Sequence, residues 1–253
     1  MDRKIPRPEH PKPQFERANW QNLNGEWNFA FDDQDLGEKD KWYKKRKLDK
    51  KIVVPFSFET KASGIADRSE HKYIWYQRTF KVKADSKKKV ILNFGAVDYL
   101  TKVWINGNFA GSHSGGYDSF AFDISDFTDY QAENNIVVKV EDSRSKSQPR
   151  GKQTYKNDNF LCWYTRSTGI WQTVWLEFPE RNLYLNDLKI SPDIDRGEVE
   201  LDYLFAAEDF AAGDYKLLTR IEFEGKKISE FNLKIEKNNY SVKINVEDEN
   251  NEL

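Results

Sequence analysis

Hydrophobic and polar residues alternate with a period of two along most of this chain, and no segment has a convincing helical period. The alternation is clearest in Ile170–Glu177, which is rich in β-branched and aromatic residues. Every second side chain from Ile170 points one way, and every second side chain from Trp171 points the other. This pattern predicts an all-β protein in which the segment is a strand of a β-sandwich core. The turn before it, Arg166–Gly169, presents polar side chains that could touch a ligand.

The same alternation predicts the other strands of a first domain. They are expected at residues 27–31, 73–82, 90–94, 99–105, 120–124 and 135–141. Asn106-Gly107 follows the strand at 99–105 and is typical of a hairpin turn, and residues 112–117 form a glycine-rich loop. The proline-rich residues 1–18 should run extended over the domain, because proline blocks helix and ladder bonding. Lys39–Lys51 is predicted to be a solvated loop or edge.

The sequence pattern changes to short alternating segments after Phe178-Pro179, and we expect a second, smaller sandwich there. Its strands are expected at residues 183–190, 198–205, 215–223, 226–235 and 240–246. An immunoglobulin-type sandwich usually has about seven strands, so we expect this domain to be incomplete in the chain. The predicted domains are residues 1–181 and 182–253.

Composition excludes several classes of protein. The formal net charge is −2 with 32% charged residues, so nothing favours binding to nucleic acid. No apolar run is long enough to cross a bilayer. The single cysteine, Cys162, excludes an intrachain disulfide, and the N-terminus lacks the apolar segment of a secretory signal. We therefore expect a cytoplasmic protein without nucleic-acid or membrane partners.

Catalytic and metal-binding motifs are absent from the sequence. There is no phosphate-binding loop, dinucleotide fingerprint, His-Glu-x-x-His helix or Cys/His zinc spacing. With three histidines and one cysteine we expect no metal site and no cofactor. The numerous carboxylates leave a glycosidase pair open, but no βα repeat accompanies them.

A set of residues typical of carbohydrate binding remains. Asp98 lies where a strand breaks, and the irregular segment 142–162 leads into Trp163, Tyr164 and Arg166. Sugar sites combine a stacking aromatic ring with carboxylate or guanidinium groups that bond pairs of hydroxyls. Aromatic residues make up 15% of the chain, and filling the core is the more frequent role of any one of them.

Three stretches resemble glycoside hydrolase family 2, the family of β-galactosidases and β-glucuronidases. They are Leu23–Phe29 (LNGEWNF), Phe94–Ile124 (with FGAVDYL, VWING and GSHSGGY) and Thr168–Leu176 (TGIWQTVWL). Their order and spacing match the family's N-terminal jelly-roll domain, which is of the galactose-binding type. The resemblance covers residues 14–180 well, and residues 182–253 fit the immunoglobulin-like domain that follows in the family more loosely.

The resemblance implies that this chain is one part of an enzyme. The catalytic glutamates of the family lie in a (β/α)₈ barrel that follows these two domains, so this chain is expected to contain no catalytic residue and to have no turnover alone. The position of Asp98 contacts the terminal sugar in the family. A second family carboxylate lies six residues before Gly169, where this chain has Trp163. Trp163, Tyr164 and Arg166 are expected to line the rim of the substrate site.

The expected parent reaction is hydrolysis of a terminal β-glycoside with retention, through a glycosyl-enzyme intermediate. The partners would be a β-linked sugar or oligosaccharide and the downstream barrel, and homo-oligomerisation of the parent stays open. Two alternatives also stay open. One is a stand-alone carbohydrate-binding module, and the other is a scaffold domain that only supports the barrel.

Overall fold

The computed structural model describes residues 5–45, 47–143, 147–156, 158–207 and 215–246. The prediction of an all-β protein is confirmed, since the described residues form antiparallel sheets with one four-residue helix. The chain divides into two compact units, residues 1–179 and residues 180–253.

Within the described part of the first unit there are twelve strands. In chain order they are β1 (Trp20–Asn22), β2 (Gly25–Phe31), β3 (Lys50–Val54), β4 (Tyr73–Phe80), β5 (Ile91–Phe94), β6 (Val97–Asp98), β7 (Leu100–Ile105), β8 (Asn108–Ser114), β9 (Phe120–Asp123), β10 (Asn134–Glu141), β11 (Gly169–Ile170) and β12 (Val174–Glu177). The hairpin predicted at Asn106-Gly107 joins β7 to β8. The predicted loop at 112–117 is shorter than expected, because β8 continues to Ser114.

Two antiparallel sheets face each other in this unit. One has the order β1-β12-β5-β9, the other has the order β3-β2-β4-β10-β7-β8, and a two-stranded ribbon pairs β11 with β6. The core between them draws on both sheets. Its largest fully buried members include Trp27, Phe29 and Tyr76 from the six-stranded sheet and Phe94 from the four-stranded sheet.

A second apolar layer covers the outer face of the six-stranded sheet. The region predicted as a solvated loop or edge contains helix α1 (Trp42–Lys45), and Lys50 and Lys51 begin the edge strand β3. The ring of Trp42 lies 5.7 Å from that of Trp75, and Tyr43 stacks on Trp104 at 4.9 Å. The helix packs here because its contacts with the outward-facing Trp75 and Trp104 remove apolar ring surface from water.

The segment predicted as one strand, Ile170–Glu177, is divided in the structure. Strand β11 ends at Ile170 and β12 begins at Val174. Both faces of β12 are buried, including Trp175, because the N-terminal arm lies on the second face. His10 of the arm contacts the Trp175 ring, and Arg17 donates to Glu177 Oε2 at 2.6 Å. The expected extended arm is thus a packed part of the unit.

Gly169 fixes the ribbon to the core. Its φ of +87° lies in the left-handed region, and a Cβ there would lie 2.1 Å from the hydroxyl oxygen of Tyr76. The next residue, Ile170, donates its backbone N–H to the same hydroxyl at 3.3 Å. No side chain fits at position 169, because the backbone itself contacts Tyr76.

The described residues of the second unit form five strands in two sheets. They are β13 (Tyr184–Asp193), β14 (Glu198–Ala206), β15 (Lys216–Phe223), β16 (Lys226–Lys234) and β17 (Asn239–Asn245). One sheet has the order β13-β14-β17, and β15 pairs with β16. All five predicted strands are present. The core between the sheets includes Leu201, Tyr203, Phe205 and Ile244.

We expect Gly169→Ala to lower the free energy of unfolding by about 3 kcal/mol or more, from about 1–2 kcal/mol of backbone strain and a clash costing about 1–3 kcal/mol. Gly64→Ala is a matched control, because Gly64 has φ +83° but nothing within 4 Å of its added Cβ. Urea denaturation of both variants measures the difference. Equal losses would show that the contact with Tyr76 has no energetic importance.

Candidate substrate-binding site

Asp98 ends β6 in the ribbon and pairs with Gly169 of β11. Its side chain is 1% exposed. Oδ2 accepts a hydrogen bond of 2.7 Å from Gln153 Nε2, whereas Oδ1 has no hydrogen-bond partner among the described residues. A buried carboxylate oxygen without a partner costs free energy, and a hydroxyl that reached it would remove this cost.

Gly116 leaves the space that Asp98 occupies. A Cβ at Gly116 would lie 2.5 Å from Asp98 Oδ1. The backbone of Gly116 is held in place, because its carbonyl accepts a 2.8 Å hydrogen bond from Trp171 Nε1. The glycine-rich loop was visible in the sequence, and the predicted hairpin brings it to Asp98, because Leu100 pairs with Ser114.

Burial raises the pKa of Asp98 to about 7, and the charge of Asp142 acts in the same direction. The hydrogen bond from Gln153 and the charge of Arg150 oppose the rise. Near neutral pH the Asp98 side chain therefore exists in both protonation states. It can accept hydrogen bonds in one state and donate one in the other.

Gln153 connects the parts of the site. It is 3% exposed, and its Oε1 accepts the backbone N–H of Ser167 at 2.9 Å. Its Nε2 also donates to the Tyr117 hydroxyl at 3.1 Å, and that hydroxyl donates to the carbonyl of Arg150 at 2.7 Å. Sequence reasoning missed Gln153 and Tyr117 as site residues. The available signal was their position in the irregular segment and the glycine-rich loop.

Two backbone hydrogen bonds to the segment Lys152–Thr154 bring Tyr164 to this group. Its N–H donates to the carbonyl of Lys152 at 3.0 Å, and its carbonyl accepts the N–H of Thr154 at 2.7 Å. The hydroxyls of Tyr164 and Tyr117 both approach Gly151, where a Cβ would lie 3.2 and 2.9 Å from them. Burial and then a hydrogen bond with Tyr164 raise the pKa of Tyr117 to about 12. Tyr164 is 45% exposed, so one side of it can contact a ligand.

Trp163 has different neighbours from Tyr164. Its ring contacts are with Phe160, at 6.2 Å between centroids, and with Tyr155, at 6.0 Å. Adjacent residues of an extended segment point to opposite faces, which explains the separation. The structure thus brings Asp98 and Tyr164 into one hydrogen-bonded group through Gln153 and Tyr117, and it places Trp163 in an aromatic cluster.

Arg166 binds to a loop from another part of the unit. Its Nη2 donates to the carbonyls of Arg68 and Ser69 at 2.9 and 3.1 Å. Arg166 also lines a polar cavity of about 10 Å³ together with Asp142, Arg150, Gln153 and Thr168. Such a volume is about what a single water molecule needs. Arg166 therefore lies beside the Asp98 group with a part of its guanidinium already bonded to backbone.

Glu59 is a buried acid that sequence reasoning missed. It is 4% exposed, its Oε1 accepts the N–H of Thr168 at 3.3 Å, and its Oε2 has no hydrogen-bond partner among the described residues. Burial raises the pKa of Glu59 to about 7, against the opposing effects of Thr168 and Arg166. The hydroxyl of Thr168 donates to Asp142 Oδ2 at 2.7 Å. Glu59 and Asp142 thus both accept hydrogen bonds from Thr168, the residue that precedes the ribbon.

Another group on the same unit resembles a serine-histidine-aspartate triad. Ser69 Oγ lies 2.9 Å from His71 Nε2, and His71 Nδ1 lies 2.8 Å from Asp33 Oδ1. The Ser69 hydroxyl donates to Asp67 Oδ1, however, and the His71 ring stacks on Phe31 at 3.6 Å. A hydroxyl whose proton is bonded to a carboxylate is not activated by the histidine. We interpret the group as a set of hydrogen bonds that stabilises the loop containing Asp67, Ser69 and His71.

The described residues offer oxygen and nitrogen donors for hydroxyl groups, but no group of three or more His, Cys, Asp or Glu side chains suited to a metal ion. Within the same residues, no helix has the length and apolarity required to span a membrane. A buried carboxylate, a carboxamide and two tyrosine hydroxyls are suited to a polar ligand with several hydroxyls.

The sequence model of the sugar-binding domain of the family 2 glycosyl hydrolases matches residues 20–178. The chain belongs to glycoside hydrolase family 2. The matched region contains both sheets of the first unit, the ribbon and Asp98. The resemblance of the three motifs to this family is therefore confirmed, as is the prediction of its sugar-binding domain.

Curated relatives carry glycosidase names. The chain is 27% identical over 208 residues to a β-galactosidase of Thermoanaerobacter pseudethanolicus, covering 79% of this chain and 25% of the relative. It is 25% identical over 186 residues to a β-glucuronidase of Paenibacillus borealis, covering 68% and 31% of the two chains. The chain thus spans about a quarter to a third of the length of these relatives.

Solved structures share the fold. A β-glucuronidase from Ruminococcus gnavus in complex with D-glucaro-d-lactam has a TM-score of 0.70 at 20% identity, over 95% of this chain and 41% of that one. The β-glucuronidase of Bifidobacterium dentium has a TM-score of 0.70 at 18% identity, over 92% and 43% of the two chains. The family fold therefore extends over nearly all of this chain.

We expect the unfolding free energy to fall as pH rises from about 4.5 to 7, because folded Glu59 binds its proton more tightly than unfolded Glu59 does. Glu59→Gln stays neutral, so it should remove up to about 3 kcal/mol of this dependence, as the raised pKa implies. Denaturation at several pH values measures the change.

Glu38→Gln is the control for this experiment. Hydrogen bonding to Lys102 lowers the pKa of Glu38, so its replacement should leave the loss of stability across this range in place. An unchanged pH dependence in Glu59→Gln would contradict the assignment of a protonated, buried Glu59.

Proposed function

We propose that this chain is the non-catalytic, sugar-binding part of a retaining exo-β-glycosidase. The membership in glycoside hydrolase family 2 and the names of the relatives support this proposal. The parent enzyme would hydrolyse a terminal β-glycoside through a glycosyl-enzyme intermediate. Its catalytic carboxylates would belong to a (β/α)₈ barrel, so the chain alone would bind sugar without hydrolysing it.

The observation that carries the proposal is the buried oxygen Oδ1 of Asp98, which has no hydrogen-bond partner among the described residues. The carboxyl group is buried, fixed by Gln153 through Oδ2, and free of protein partners at Oδ1 among the described residues. Asp98 occupies the position that contacts the terminal sugar in the family motif. A hydroxyl of the terminal sugar would bond Oδ1, and Tyr164 and Arg166 would line the rim beside it.

Trp163 separates this chain from the usual pattern of the family. It stands six residues before Gly169, where the family has a carboxylate. An indole cannot accept a hydrogen bond from a sugar hydroxyl, but it can stack on the apolar face of a sugar ring. The substrate would be a β-linked sugar or oligosaccharide of the galactoside or glucuronide class, bound with one polar contact fewer and one ring contact more.

Two alternatives differ in their expected behaviour. A stand-alone binding module is less favoured, because the relatives are three to four times as long as the regions they share with this chain. A pure scaffold domain would bind no sugar. Location in the cytoplasm remains a prediction from the sequence, and the oligomeric state of the parent enzyme stays open.

We expect calorimetric titration of the chain with methyl β-galactoside or methyl β-glucuronide to give a measurable heat with one of them. Asp98→Ala should weaken that binding by roughly tenfold or more, because a hydrogen bond to a charged group contributes about 1.5–3 kcal/mol. Glu38→Gln is the control, since Glu38 pairs with Lys102 and Lys139 on the outer face of the six-stranded sheet.

A wild-type chain without heat for any glycoside would favour the scaffold. Equal affinities of the wild type and Asp98→Ala would remove Asp98 from the sugar contact. In the complete enzyme, Asp98→Ala should lower kcat/KM for the substrate by a similar factor, and unchanged kinetics there would contradict the proposed position at the active-site rim.

A further inference from the structure

Three aromatic rings form a cluster separate from the Asp98 group. Tyr155 lies 5.4 Å from Phe160 and 6.0 Å from Trp163, with its ring nearly perpendicular to both. The rings of Phe160 and Trp163 are nearly parallel, at an angle of 22°. Tyr155 is 52% exposed, and Phe160 and Trp163 are partly exposed. Apolar ring surface of this unit is therefore open to solvent rather than packed in its core.

A tight turn holds the cluster in a fixed arrangement. Phe160 and Trp163 form an antiparallel bridge, with N–H to carbonyl distances of 3.3 and 2.9 Å in the two directions. Leu161 at the turn has φ of +49° and is 96% exposed. Because the pair lies across this bridge, the two rings are presented together without a further loss of chain entropy when a ligand binds.

Polar groups lie next to the rings. Lys156 Nζ is 4.2 Å from the centroid of Phe160. Thr165 Oγ1 donates to Asn159 Oδ1 at 2.9 Å, on the exposed side of the segment. Flat ring surface with an ammonium and an amide group nearby matches a pyranose ring, which has apolar C–H faces and hydroxyls around its edge.

The size of the cluster also favours a small ligand. Each aromatic side chain has about 150–250 Å² of surface, and these rings are only in part exposed, so the open ring area is on the order of 250 Å². A stable protein interface needs about 800 Å² on each partner. One sugar ring is matched to the available area and a macromolecular partner is not.

We propose that Tyr155, Phe160 and Trp163 form a second subsite that stacks on the sugar unit next to the terminal one. Trp163 and Tyr164 are consecutive residues whose side chains leave opposite faces of the segment, and the Tyr164 hydroxyl belongs to the Asp98 group through Tyr117. A saccharide that contacts both groups would therefore cross the edge of this segment. The terminal sugar would bond the polar group, and the following pyranose would lie on the rings, with Lys156 donating to its hydroxyls. This inference rests on the proposed function and adds to it that the substrate is an oligosaccharide.

The test compares two ligands with the same terminal sugar on the complete 253-residue chain. The first pair is methyl β-galactoside and lactose; the second is methyl β-glucuronide and the disaccharide in which glucuronate replaces the galactose of lactose. Calorimetry should show that one disaccharide binds roughly five- to tenfold tighter than its methyl glycoside, as expected for one stacking contact. Phe160→Ala should remove this gain and leave the affinity for the methyl glycoside.

Phe109→Ala is the matched control, because Phe109 is also 52% exposed but belongs to β8 and contacts Trp104. It should leave both affinities unchanged. A circular dichroism spectrum and a midpoint of urea denaturation equal to those of the wild type would show that Phe160→Ala is folded. Tyr155→Phe, which keeps the ring, should retain the disaccharide gain, whereas Tyr155→Ala should lose it.

The outcomes separate the two proposals. Equal affinities for disaccharide and methyl glycoside, or a gain that survives in Phe160→Ala, overturn the second subsite and leave the Asp98 site intact. Binding of the disaccharide that depends on Phe160 but not on Asp98 supports the second subsite and contradicts the proposed function. No binding of any of the four ligands overturns both.

Discussion

The contact between the backbone of Gly169 and the hydroxyl of Tyr76 determines how the site is built. The hydroxyl lies where a Cβ at position 169 would be, and the next N–H bonds to it. This contact ties β11 to the core of the sandwich, and β11 pairs with β6, which ends in Asp98. The position of the candidate sugar contact thus depends on a glycine that has no chemical function of its own.

Two buried acids near this ribbon lower the stability of the folded protein. Asp98 and Glu59 are both buried, and each has one oxygen without a hydrogen-bond partner in the described part of the chain. An unsatisfied buried polar group costs about 1–3 kcal/mol. The protein lowers this cost by protonation, as the raised pKa values of both groups show. For Asp98, a sugar hydroxyl would lower it further, so part of the binding free energy would come from removing this cost.

Sequence patterns predicted local structure well and long-range contacts poorly. The five strands of the second unit follow directly from alternation, and Asn106-Gly107 follows from turn chemistry. The division of Ile170–Glu177 could not be predicted, because it depends on the ribbon and on an arm more than 150 residues away, whose Arg17 bonds Glu177. Asp98 was singled out by its place where a strand breaks, and its expected contact with the terminal sugar came from the family motif. Glu59 carries no local signal and Gln153 only its place in the irregular segment, since each is defined by partners that are remote in sequence.

The consecutive residues Trp163 and Tyr164 show how one short extended segment can serve two chemistries. Extended backbone sends neighbouring side chains to opposite faces, so Tyr164 joins the hydroxyl and carboxyl group while Trp163 joins Tyr155 and Phe160. A carboxylate at position 163 would lie next to two aromatic rings, where partial desolvation would raise its pKa and favour the protonated form. The tryptophan is therefore consistent with its surroundings, and its presence in place of the family carboxylate follows from the aromatic cluster that the same segment builds.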